Sequence, residues 1–248
     1  MSSLSIIYSL ISPESLAKIA EEAFGFSNVS CSLIKIGDND NYLIETDGYK
    51  YILRVYKREK YWLKADSDYY FEMDWLTHLK QNNCSISYPI QRRDGEYIGH
   101  LQAPEGLRYF ALFSYAVGEE DPITFHRSYL LGREVAKVHL ASNNFKSTHT
   151  RLTLDIDFLI DEPVRLITNY FGSNRKSEQS QLIKLASDLK EKIARLNLEN
   201  DAWGVIGGDF HGFNQHFDKQ DKPTLFDFDL CGYGWRAYDL AVFSSLYR

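Results

Sequence analysis

Two segments late in the chain carry residues whose types and spacing suit chemistry. Gly207-Gly208-Asp209-Phe210-His211-Gly212-Phe213-Asn214 is followed by Leu225-Phe226-Asp227-Phe228-Asp229. Transfer of a phosphoryl group to a hydroxyl needs a carboxylate that orients the hydroxyl and takes its proton. It also needs oxygen ligands that hold magnesium on the phosphates. Asp209 suits the first task. Asn214, five residues on, and Asp227, thirteen further, suit the second. The stretch between them is long enough for a strand, a turn and a returning strand, which would bring Asp227 back beside Asn214. Asp229 is a candidate for a further metal or substrate contact. Asp, Asn and Gly also favour turns for local reasons, but independent turn residues would not give this ordered set.

The elements that must position these residues are legible in outline. Ser12-Pro13 starts a helix, with a capping serine before a proline at the first helical position, and Gly25 stops it. From Val29 to Tyr56 the pattern is that of strands, with Asp47-Gly48 as a hairpin turn. Ala65–Gln81 reads as a helix with Phe71, Trp75, Leu76 and Leu79 on one face. Asp94-Gly95 marks another hairpin, and Leu107–Tyr115 reads as a buried strand. Beyond Gly118 the periodicity becomes helical over roughly Thr124–Ser142, Asp157–Tyr170 and Gln179–Leu196. In the last of these, Leu182, Leu185, Ala186, Leu189, Ile193 and Leu196 keep the helical period. Gly204–Phe228 reads as two short strands joined by the polar turn Asp218–Lys222. A strand-rich half therefore precedes a helix-rich half, an order similar to that of a bilobal kinase with a cleft between its lobes.

The catalytic segment resembles that of the aminoglycoside phosphotransferase family, whose loop commonly reads H-G-D-x-H-x-x-N, and that of choline and ethanolamine kinases. Gly234-Trp235-Arg236-Ala237-Tyr238-Asp239-Leu240-Ala241 matches the family's aromatic-D-L-A segment. The resemblance covers roughly Ile34 to the end of the chain. It implies an α+β, bilobal, protein-kinase-like fold. Residues 1–113 would form an N-lobe of antiparallel sheet plus helix, 114–119 the linker, and 120–248 a helical C-lobe with a catalytic β-hairpin. It implies an ATP- and magnesium-dependent kinase acting on a small-molecule hydroxyl acceptor.

The resemblance also assigns roles. Arg54, in Tyr51-Ile52-Leu53-Arg54-Val55-Tyr56, would be the phosphate-binding basic residue, and Glu72 its partner on the helix. Arg offers a planar fork where many aminoglycoside kinases carry Lys. In the linker, the Ser114 carbonyl and Ala116 amide would bond the adenine edge, with Ile52 above the ring and His216 below. Asn214, Asp227 and Asp229 would serve the metal. Gly37-Asp38-Asn39-Asp40-Asn41 would be the phosphate loop, with its two carboxylates turned to solvent. His211 and His139 read as structural. Gly207 stands where the family usually has His, a brace for the loop, so Gly207→His is expected to be tolerated.

Composition narrows the field. Hydrophobic residues at 44% and charged residues at 25% describe an ordinary globular protein. A net charge of -6 gives no basic face for nucleic acid. Cys31, Cys84 and Cys231 are odd in number and widely separated, which argues against a zinc site or disulfide framework and fits a cytoplasmic location. The apolar run ending at Ile11 is too short for a membrane span and lacks a basic region before it. Two other readings stand beside the small-molecule kinase. One is a nucleotide-binding pseudokinase acting through a partner. The other is a protein serine/threonine kinase, against which the eleven residues between Asp227 and Asp239 leave little room for an activation segment. The chain stops a few residues after the D-L-A segment, where family members continue through helices that help build the acceptor pocket. Leu240, Val242, Phe243 and Leu246 are therefore expected to be uncovered, and a homodimer or partner chain to cover them.

Overall fold

Ser12 begins the first helix as its sequence predicts. In the computed structural model, which describes residues 5–58, 60–63, 65–119, 122–196 and 199–245, the backbone N–H of Ser15 donates to Ser12 Oγ and Pro13 opens the helix α1 (Pro13–Phe24). Gly25 closes it at φ 74°, a conformation open to glycine at little cost.

The strands that follow form one antiparallel sheet. These are β1 (Ser30–Ile36), β2 (Asn39–Thr46), β3 (Tyr49–Tyr56), β4 (Ile98–Ala103) and β5 (Gly106–Ser114), in the order β1-β2-β3-β5-β4. Asp47 and Gly48 both have positive φ, 45° and 83°, as a two-residue hairpin turn requires. Asp94-Gly95 does make a turn, but not the expected hairpin between two sheet strands. The Arg92 N–H donates to the Glu96 carbonyl across it, and the true β4–β5 connection is Pro104-Glu105.

Strand alternation divides the sheet's faces. Tyr42, Ile44, Leu53 and Val55 pack against Leu16 and Ala20 of α1. The other face carries Asn41, Ile52 and Arg54, with Asn41 opposite Arg54 in register. Helix α2 (Asp66–Gln81) buries Phe71, Trp75, Leu76 and Leu79 as its periodicity predicts, and Glu72 and Met73 with them. Those side chains share a cluster with Leu131, Val135 and Val138 of α3 (Phe125–Ser142). Phe210, Phe217 and Phe228 from the segments that carry the chemistry join the same cluster. One apolar core therefore reaches from the sheet's helix to the catalytic segments.

In the second half, β6 (Thr153–Leu154) pairs in parallel with β10 (Gly232–Trp235), which pairs antiparallel with β7 (Trp203–Ile206). The strands β8 (Gln215–Phe217) and β9 (Pro223–Leu225) form a separate hairpin. The segment expected to hold two strands thus holds three, because β7 belongs to another sheet. A single π turn, Asp157–Asp161, leads into α4 (Glu162–Phe171), followed by α5 (Lys176–Ala194) and, after β10, α6 (Arg236–Ser245). The apolar stripe of α5 is not core: neither α4 nor α5 has a fully buried residue, and Leu185 and Leu189 are exposed. Leu240 is exposed and Val242 and Phe243 are half-buried, while Leu246 lies outside the described residues. Among the described residues no helix is long and apolar enough to cross a membrane.

Candidate active site

The loop that carries Asp209 leaves β7 through Gly207 and Gly208, and a carboxylate on α6 anchors it there. Gly208 N–H donates to Asp239 Oδ1 at 2.8 Å and Gly207 N–H to Oδ2 at 3.2 Å. Gly208 has φ 79°, and a Cβ there would lie 2.7 Å from the Leu230 carbonyl oxygen, so the position demands glycine. The expectation that histidine would be tolerated at Gly207 is corrected by the structure. A Cβ at Gly207 would meet the Phe210 ring at 2.4 Å, and that ring is buried edge-to-face against Phe228. Asp239, backed by His139 of α3, holds the loop at this point.

Asp209 and Asn214 are held together by the loop between them. Asn214 Nδ2 donates to the Asp209 carbonyl at 2.9 Å and to its Oδ2 at 3.2 Å. That leaves the amide oxygen of Asn214 for another partner. The Phe226 N–H donates to the Asn214 carbonyl at 3.0 Å, so the β8–β9 hairpin returns Asp227 beside Asn214 as the spacing predicts. His211 accepts the Phe213 N–H at Nδ1, which places its proton on Nε2, 3.5 Å from Asp209 Oδ2. The hydrogen bond to the Asp209 carboxylate raises the His211 pKa above its ordinary value, against the opposing effect of burial.

From the sheet, Arg54 reaches both acidic partners at once. Nη1 lies 2.9 Å from Glu72 Oε1, and Nη2 lies 2.9 Å from Asp227 Oδ1. The planar fork of arginine makes this bridge possible, where a lysine would supply one point charge. Tyr56 OH adds a 3.1 Å hydrogen bond to the second oxygen of Glu72. Burial raises the Glu72 pKa and the Arg54 charge opposes it. Burial also raises that of Asp227, against Arg54 and with the neighbouring Asp229. Asp227 adopts φ 64°, a left-handed conformation that Asp tolerates better than most residues and that concentrates at functional sites.

Asp229 faces elsewhere. Its Oδ2 accepts from Lys60 Nζ at 2.6 Å and from Asn39 Nδ2 at 2.7 Å, and Lys60 Nζ also donates to Asn39 Oδ1. Burial opposes the charge on Asp229, but the Lys60 ammonium, Arg54 and these hydrogen bonds hold the carboxyl below its ordinary range. Sequence reasoning missed Lys60, and it placed Asn39 in the phosphate loop rather than beside Asp229. Asp40 is a further correction. It is fully buried and accepts from Arg108 Nη2 and Tyr8 OH, both at 2.7 Å, because strand alternation turns it away from the cleft. The loop expected over Ile36–Tyr42 is only the two-residue turn Gly37-Asp38.

A cavity of about 310 Å³ joins these parts. Arg54, Glu72, Asn214 and Asp227 line its polar end, and Ile52, Leu76, Phe113, Ala116, His216 and Phe226 line the rest. His216 Nδ1 is 2.9 Å from the Ala116 carbonyl, and its ring packs edge-on against Phe226. Ile52 and His216 thus both border the cavity. Ser114 is not among the lining residues. It pairs with Tyr51 in the sheet, its hydroxyl accepts the Tyr88 N–H, and its carbonyl accepts the Ser87 hydroxyl at 2.5 Å. Ser87, which the sequence did not single out, lines the cavity in its place.

The donor set suits a hard divalent cation. Asn214 and Asp227 offer oxygen, and magnesium is usually bound by one or two carboxylates plus substrate phosphates. Among the described residues no group of three or more His, Cys, Asp or Glu side chains is placed to hold a metal ion.

The model of the phosphotransferase enzyme family matches residues 33–248. An uncharacterized protein of Synechocystis sp. (strain ATCC 27184 / PCC 6803 / Kazusa) is 32% identical over 240 residues, covering 96% of this chain and 65% of that protein. Amicoumacin kinase of Bacillus subtilis (strain 168) is 25% identical over 231 residues, covering 90% and 66%. The chain therefore spans slightly less than two thirds of these relatives' lengths. Among solved structures, a microcompartment-associated aminopropanol kinase superposes with a TM-score of 0.74 at 24% identity, covering 92% of this chain and 73% of that one. Amicoumacin kinase hAmiN, in complex with AMP-PNP, Ca2+ and Ami, gives 0.73 at 21%, covering 94% and 68%. These two likenesses establish the fold.

Proposed function

The chain belongs to the phosphotransferase enzyme family, and from that premise we propose that it transfers the γ-phosphoryl group of ATP to a hydroxyl of a small molecule. Asp209 receives the acceptor. Its side chain is 40% exposed, so a hydroxyl can reach the carboxylate while Asn214 holds Oδ2 in place. In a loose phosphoryl-transfer transition state, little proton removal is needed early. The main work of Asp209 is therefore to aim the oxygen and take the proton as the new bond forms. Arg54, its plane fixed by Glu72 and Asp227, would turn its remaining N–H groups to phosphate oxygens. Asn214 and Asp227 would hold magnesium, whose charge offsets that of the phosphates. Ile52, Phe226 and His216 offer apolar and aromatic surfaces to a base.

One observation carries this reading: a single amide, that of Asn214, ties the base to the metal pair. Its Nδ2 is fixed on Asp209, and its backbone carbonyl accepts from the residue before Asp227. Turn residues arranged for folding alone have no need to tie an exposed carboxylate, through one asparagine, to a second carboxylate that lines a cavity. The kinases to which the chain is similar act, by name, on aminopropanol and amicoumacin, which supports an acceptor of small-molecule size. The test is magnesium-dependent ATP consumption across amino alcohols, homoserine, aminoglycosides and sugars, with mass detection of the product. A phosphorylated product from one class is the expected result. No product from any of them, with nucleotide binding intact, would overturn the reading.

A further inference from the structure

We propose that Lys60 is a positioning residue for phosphoryl transfer, in which its ammonium fixes Asp229 against Asn39 and leaves the divalent cation to Asn214 and Asp227. The three side chains form a closed set. Lys60 Nζ donates to Asp229 Oδ2 at 2.6 Å and to Asn39 Oδ1, and Asn39 Nδ2 donates to the same Asp229 oxygen at 2.7 Å. Each member therefore bonds the other two. The ion pair is buried, with the side chains of Lys60 and Asp229 5% and 10% exposed. Lys60 also stands 5.2 Å from the Trp62 ring centre, over its face, which adds to its hold on one position.

The grip on Asp229 comes from two directions. Asn39 and Lys60 lie at the cleft end of β2 and just past β3, so they hold the side chain from the sheet. Arg151 holds the main chain from the helical half, donating to the carbonyls of Asp229 and Cys231. Phe228, between the two aspartates, is packed edge-on against Trp75 and Phe210. With Phe228 and Asp229 fixed, the direction in which Asp227 points is fixed too. Asp227 and Asp229 are thereby given separate tasks. Asp227 lines the cavity and its side chain is 33% exposed. Asp229 does not line it, and its Oδ2 already accepts two short hydrogen bonds. An ion at that oxygen would have to displace a buried ammonium.

The contact stands by itself, whereas what it positions rests on the phosphoryl-transfer reading. The test compares Lys60→Met, Asp229→Asn and the double variant. Binding of the non-hydrolysable analogue adenosine 5′-(β,γ-imido)triphosphate is measured by calorimetry over a magnesium series. Each single variant is expected to raise the magnesium midpoint about 10–100-fold, the usual effect of losing a group that orients a metal ligand. The double variant is expected to raise it no further, because both changes break one contact. A raised midpoint in Asp229→Asn beside an unmoved one in Lys60→Met would make Asp229 a ligand and overturn the proposal. Unmoved midpoints in both would reduce the set to a fold brace and overturn it too. If the single variants fail to fold because one buried charge is left unpaired, the double variant decides alone. A wild-type midpoint in it sinks the proposal, and a raised one supports it. A wild-type protein whose nucleotide affinity ignores magnesium would overturn the phosphoryl-transfer reading itself, an outcome distinct from flat variants beside a responsive wild type.

Discussion

His139 Nε2 stands 2.7 Å from Asp239 Oδ2, joining α3 to α6 beneath the catalytic loop. The same carboxylate accepts the N–H groups of Gly207 and Gly208, so both of its oxygens are engaged and the group is almost fully buried. Asp239→Asn replaces one acceptor oxygen by a donor facing another donor. A buried N–H without a partner costs about 1–3 kcal/mol. Urea unfolding should show a loss of that size. Turnover should fall roughly 10²-fold with little change in the KM for ATP, because a small displacement of the loop misaims Asp209. An unchanged unfolding midpoint would show that the loop does not depend on this anchor.

Asp227, like Glu72, lines the cavity and touches Arg54, and it stands beside Asn214. Asp227→Ala should abolish the tightening of nucleotide binding by magnesium. Asn214 alone offers a single neutral oxygen, which is too little for a hard cation. Nucleotide affinity without magnesium should change less, because Arg54 keeps Glu72 and gains freedom to reach phosphate. Calorimetry with and without magnesium decides the matter. A magnesium effect of wild-type size would assign the ion to other ligands.

Gly207 has no room for a side chain, since a Cβ would sit 2.4 Å from the Phe210 ring. Overpacking a close-packed site usually costs about 1–3 kcal/mol. Gly207→Ala should therefore lower the unfolding midpoint, and Gly207→His should lower it further. Phe210→Leu combined with Gly207→Ala should recover part of the loss, since the smaller side chain vacates the ring edge. If Gly207→Ala proved as stable as wild type, the contact with Phe210 would not be what restricts this position.

Local signals carried much of this architecture, and long-range contacts carried the rest. The Ser12 cap, the Asp47-Gly48 turn and the buried face of α2 were legible because each depends on neighbours in sequence. Asp209, Asn214 and Asp227 were legible because a short hairpin brings them together. Asp40 was misjudged because its partner Arg108 lies 68 residues away, on a strand whose register sequence alone does not give. Lys60 was missed and Asn39 was read as phosphate loop for the same reason, since their meeting with Asp229 spans 169 and 190 residues. Ser114 was placed at the base edge by resemblance, and the competing hydroxyl of Ser87 had no signal of its own. The stripe on α5 shows the converse error, an apolar period with no fully buried residue.

Asp209 and His211 stand 3.5 Å apart, and their pairing separates two candidates for the base. His211 donates from Nε2 toward Asp209, and that hydrogen bond raises its pKa. The sign follows for stability. A histidine whose folded pKa lies above its unfolded value adds stability below the unfolded value, and that stability is lost as pH rises through the folded one. Asp209→Asn weakens the pairing, so the His211 midpoint followed by NMR should fall toward the ordinary value of about 6.5. If Asp209 is the group that takes the proton, the same substitution should lower turnover about 10²–10⁴-fold. His211→Gln should lower it far less, because the glutamine amide can still donate to the carboxylate. The reverse ranking, with turnover surviving Asp209→Asn and collapsing in His211→Gln, would transfer the role of base to the histidine.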